Sequence, residues 1–144
     1  MLNKWFPEIQ NEEDTAKLTK QGAIAVLIFA FMNLLAVLLA IFANTDSVKG
    51  QSITPEEIQN TVVGAVVILP ILLIFSWRIY KGKGWFVAGL TFAWFLVEIG
   101  IKVTNGTTNI GWLFAYFGIA SMLINGMRAC WWLRSQAKSS SVSS

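Results

Sequence analysis

Apolar residues run through this chain in four long stretches, and polar residues gather between them. No charge occurs in residues 21–45. Roughly 20 apolar residues in a helix cross about 30 Å of hydrocarbon, so the pattern predicts spans over 22–43, 61–77, 85–104 and 110–133. The expected fold is therefore all-α: an integral membrane bundle of four transmembrane helices, up-and-down. Residues 1–20 form an N-terminal segment that includes the start of the first helix, residues 21–134 the transmembrane domain, and residues 135–144 a serine-rich tail expected to be disordered.

The boundaries carry their own signals. Asn11, followed three residues later by Asp14, offers a side-chain acceptor to free N–H groups and a negative charge to the positive helix end. The first helix should thus begin near Glu12 in water and run on into the membrane. A cleaved leader would have a shorter apolar run, and acids precede this one, so the segment reads as a retained helix. Thr54-Pro55-Glu56-Glu57 has the form of a capping box with proline at the first helical position. Pro70 falls inside the second span and deletes one backbone hydrogen bond. The basic turn at 78–84, with two glycines, predicts that the second and third spans are antiparallel neighbours.

Charge then orients the bundle. Three basic residues precede the first span (Lys4, Lys17, Lys20), three occupy the basic turn (Arg78, Lys81, Lys83), and three close the last span (Arg128, Arg134, Lys138). The opposite side has only Lys49 and Lys102. Lysine and arginine in short loops stay cytoplasmic, so both termini are expected inside. Trp77, Trp85, Trp131 and Trp132 fall at that boundary and Trp112 at the outer one, as in an interfacial aromatic belt. Trp5 and Phe6 are expected at headgroup level.

Composition narrows the chemistry. Of 144 residues, 55% are hydrophobic and 13% charged, about half the charge of an ordinary soluble domain. No basic run suits nucleic acid. Histidine is absent, which removes histidine-dependent nucleophile and zinc chemistry from a single chain. The lone cysteine, Cys130, excludes an internal disulfide. It lies where acylation is chemically open, although a plain thiol is the simpler reading. Asn105-Gly106-Thr107 matches a glycosylation acceptor and is discounted, because it lies in a very short loop against the membrane. No cofactor and no metal site are expected.

The candidate intramembrane polar site comprises Glu98, Lys102, Asn33, Asn125 and Thr91. Glu98 lies six residues from the end of its span, about 9 Å deep. An ionisable group at such a depth is a functional candidate by default, here as a proton- or cation-binding carboxylate. The competing reading is an i,i+4 ion pair with Lys102 in the favourable order, and it is preferred because the position is near the surface. Ala88, Thr91, Phe95, Glu98 and Lys102 form one stripe of the third span. Gly111, Ala115, Gly118, Met122, Asn125 and Ala129 form a small-residue stripe of the fourth, and both are expected to face the bundle interior. Asn33 and Asn125 are expected to hydrogen-bond between helices. The depths of Glu98, Asn33 and Asn125 are expected to differ, which disfavours an enzyme acting on lipid or quinone.

Ala16-Lys17 leading to Gly22, the basic turn after the second span, and Ile124-Asn125-Gly126-Met127-Arg128-Ala129 before aromatics resemble small four-helix bacterial inner-membrane proteins. The resemblance implies the fold and the inner membrane and transfers no activity. Small multidrug exporters resemble the chain less, because their essential glutamate lies in the first helix, where this chain has none. Three functions remain open: a non-enzymatic accessory or assembly protein beside a larger membrane complex, a small homo-oligomeric transporter or channel using Glu98, and, last, a membrane enzyme. The expected partners are the lipid bilayer, another membrane protein or a second copy.

Overall fold

A computed structural model describes residues 2–45, 55–106 and 110–143. Among these described residues there are five helices: α1 (Leu2–Trp5), α2 (Glu12–Thr45), α3 (Pro55–Tyr80), α4 (Trp85–Thr104) and α5 (Ile110–Val142). The last four are each long and apolar enough to cross a membrane. The start of α2 is built as its sequence suggests. The Asp14 amide donates to Asn11 Oδ1 at 2.9 Å, and the Gln10 amide donates to Asp14 Oδ2 at 3.3 Å. The cap at Thr54 and the residue Thr107 lie outside the described residues.

α2 and α5 form the central pair. α3 lies against α2, α4 lies against α5, and α3 and α4 touch each other little. The turn between α3 and α4 reverses the chain as expected, with Gly82 at φ 71° and the Lys83 amide donating to the Arg78 carbonyl. The two helices it joins nevertheless pack on different partners, because the close-packing residues of α3 face α2. Ser76 Oγ donates to the Ala23 carbonyl at 2.9 Å. A methyl group added at Gly22 would stand 2.7 Å from Gly126 Cα and 3.2 Å from Ile79 Cγ2. Only two glycines let these backbones meet.

That contact sets the register. Gly22, Ile79 and Gly126 share one level, just before α3 ends at Tyr80. α2 has 34 residues and α5 has 33, about 50 Å each at about 1.5 Å per residue. Both therefore project beyond the end where the basic turn lies, hereafter the basic end; the opposite end is the far end. Residues 135–142, expected to be disordered, continue α5 instead. Ser139, Ser140 and Ser141 each return their hydroxyl to the carbonyl three residues back, which satisfies these side chains without breaking the helix.

Burial is uneven along the bundle. Thr15 to Ala30 of α2, Leu72 to Ile79 of α3, Val87 to Phe95 of α4 and Tyr116 to Cys130 of α5 supply the buried residues. They form one core around Val26, Phe29, Leu72, Phe95 and Leu123. Toward the far end, α2 beyond Ala30 and α3 before Leu72 contribute no buried residue among those described.

Candidate functional site

The candidate polar residues separate into distinct places. Lys102 Nζ lies 2.7 Å from Glu98 Oε1 and 5.5 Å from the Tyr116 ring centroid. Tyr116 is buried between Phe95 (5.8 Å, edge-on) and Trp112 (6.2 Å, stacked). The far end of the α4–α5 pair is thus held by an ion pair laid over an aromatic ladder. Glu98 keeps 24% of its side chain exposed, and its carboxylate is held by a lysine of its own helix.

Thr91 is fully buried and donates to the Val87 carbonyl at 2.8 Å. Asn33, expected to bond between helices, donates instead to Phe29 of its own helix at 2.9 Å. A second expectation is also corrected. Phe29 packs on Phe95 at 5.3 Å, and Asn33 and Glu98 lie four and three residues beyond that contact toward the far end. They therefore stand at a similar level, and among the described residues no hydrogen bond joins them. Only Asn125, at the basic end, lies at a clearly different depth.

Asn125 has a partner that span-by-span reading does not suggest. Its Nδ2 donates to the Trp5 carbonyl at 2.6 Å, and Arg128 Nη1 approaches its Oδ1 at 3.4 Å. The Trp5 ring meets Phe117 edge-on at 5.4 Å. The N-terminal segment thus folds back along α5. The small-residue stripe of α5 divides accordingly: Asn125 and Ala129 are buried, while Gly111 and Ala115 are exposed.

Two tryptophans of the expected belt pack on each other. Trp85 packs edge-on to Trp131 at 5.1 Å, with the Arg134 guanidinium 5.0 Å from its ring. Trp85, Met127, Trp131 and Trp132, with Glu8 and Arg128, line a cavity of about 700 Å³ against the N-terminal segment. Glu8, Ile9 and Gln10 form the N-terminal side of this cavity, a short stretch between Trp5-Phe6-Pro7 and the first cap.

The far half presents a different surface. Phe31, Leu35, Leu38, Leu39 and Phe42 of α2 are exposed, as are Val63, Val66 and Val67 of α3 and Val97 and Ile101 of α4. A methyl group added at Gly64 or Gly100 would meet nothing within 4 Å. Among the described residues no group of three or more histidine, cysteine or acidic side chains converges as a metal site would require.

No family model matches the chain, and neither a curated protein nor a solved structure matches it.

Proposed function

We propose that this chain is a non-enzymatic accessory subunit of the bacterial inner membrane, seating a transmembrane helix of a larger complex against its far half. The observation that carries this reading is the contrast in burial. Buried residues of all four helices lie toward the basic end, while toward the other end α2 and α3 present large exposed apolar residues, as do the sides of α3 and α4 that little else covers. Such a surface suits van der Waals packing against a partner helix, which together with polar bonds and lipid entropy drives association in a bilayer. Both termini lie in the cytoplasm in this reading, supported by nine basic residues at the basic end against two beyond it.

The ion-coupling alternative draws less support. A carboxylate that binds and releases a cation works best when no fixed counter-ion competes, and Glu98 is already paired with Lys102 at 2.7 Å.

Photo-crosslinking residues placed at Leu35, Val66 and Val97 test the accessory reading in living membranes. A heterologous protein adduct of one defined mass at all three positions is expected. Adducts to lipid alone overturn it, and adducts of twice the chain's own mass replace it with a homo-oligomer.

A further inference from the structure

We propose that the cavity at the basic end is a binding site for the headgroup of a zwitterionic, ethanolamine-type phospholipid. The inference is independent of the accessory reading; it needs only that the four spans lie in a bilayer. Its volume, about 700 Å³, is within the range of small-molecule sites, about 300–1,000 Å³.

Its position favours a lipid. The walls are Trp85, Trp131, Trp132 and Met127, and α4 begins at Trp85. Tryptophan settles where hydrocarbon gives way to headgroups. Arg128 is two residues past the Gly22–Gly126 contact, near the level at which α3 ends. An amphiphile can therefore enter from the bilayer with its tails still in hydrocarbon.

Its charge favours a zwitterion. Glu8 and Arg128 line the same cavity, and among the described residues neither takes part in an ion pair. Arg128 approaches only the neutral Asn125 amide oxygen, at 3.4 Å, and Glu8 only the Gln10 amide, at 3.5 Å. A guanidinium donates in a fork that matches phosphate oxygens. A carboxylate accepts N–H bonds, so the complementary cation is a primary ammonium carrying protons to give. A purely anionic headgroup would satisfy Arg128 and face Glu8 unfavourably.

The wall that bears Glu8 is fixed at both ends. Asn125 and Phe117 hold Trp5 before it, and the Asn11–Asp14 cap holds the chain after it. A fixed wall lowers the ordering cost of binding.

The test is native mass spectrometry of the full chain released from vesicles of equal parts phosphatidylethanolamine and phosphatidylglycerol, and separately from vesicles with phosphatidylcholine in place of the ethanolamine lipid. Wild type should retain the ethanolamine lipid at least fivefold over each of the others. Glu8→Gln should abolish that preference, and Glu8→Lys should shift it toward phosphatidylglycerol. Arg128→Gln should lower retention of all phospholipids. Glu8 is exposed, so its replacement leaves the fold in place. Equal retention of the three lipids by wild type, or an unchanged preference in Glu8→Gln, overturns the proposal.

Discussion

The basic-end and far halves of this bundle belong to the same four apolar helices and pack differently. Around Gly22, Ala23, Ser76, Ile79 and Gly126 the backbones meet, and a polar bond crosses between α2 and α3. Around Phe31, Leu35, Leu39, Val63 and Val66 the described residues include none that is buried, and large side chains are exposed. In water both halves would collapse. In lipid, apolar surface gains nothing by leaving the solvent, so close approach depends on small residues and on polar bonds. Were the four apolar helices in lipid, the half with glycines, alanines and buried hydroxyls would be the half that closes, as it does here.

That contrast breaks most sharply at the glycines. Gly22→Val or Gly126→Val should cost about 1–3 kcal/mol or more, because overpacking a tight contact forces the backbone to move. Thermal unfolding in detergent should fall well below wild type. Gly64→Val and Gly100→Val, at open positions, should leave it nearly unchanged. Equal losses at all four sites would mean that the two halves do not differ as described.

Polar bonds come next in size. Ser76→Ala removes the link to Ala23 and should cost about 1 kcal/mol, the usual worth of an interhelical bond in lipid. Asn125→Ala should cost about 1 kcal/mol. It should also free the N-terminal segment, read as faster proteolytic removal of the residues before Glu12; unchanged cleavage would show that Trp5 is held by its ring alone. The smallest effect is expected at Glu98→Gln, about 0.3–0.5 kcal/mol for an i,i+4 pair on a helix face. Cation flux in vesicles should not change with it, and a collapse of flux would restore the ion-coupling reading.

Much of the architecture was legible in the sequence because it depends on local rules. Span length, the Asn11–Asp14 cap and the glycine turn at 82–84 follow from hydropathy and backbone geometry within a few residues. The Glu98–Lys102 pair was legible because four residues is one helical neighbour. What escaped depends on which helix faces which. Asn125 meeting Trp5, 120 residues away, and Trp85 meeting Trp131 depend on how α1 and α4 lie against α5, which no periodicity encodes. Asn33 found its acceptor at home because a mid-helix asparagine can always reach back one turn. The helical course of the serine tail is not visible in its composition, since serines that bond back to their own helix can remain in it.

The Gly22–Gly126 contact also dictates when the molecule can close during its manufacture. Of the four candidate spans, Gly22 belongs to the one translated earliest and Gly126 to the one translated latest, about a hundred residues later. At about 5–20 residues per second, the first span waits roughly 5–20 s before its mate is translated. During that interval Ile79 of α3 is the only one of Gly22's two close neighbours that can be in place, and translation that halts before Gly126 never supplies the other. The seam that locks the bundle is thus also a record of whether synthesis passed Gly126.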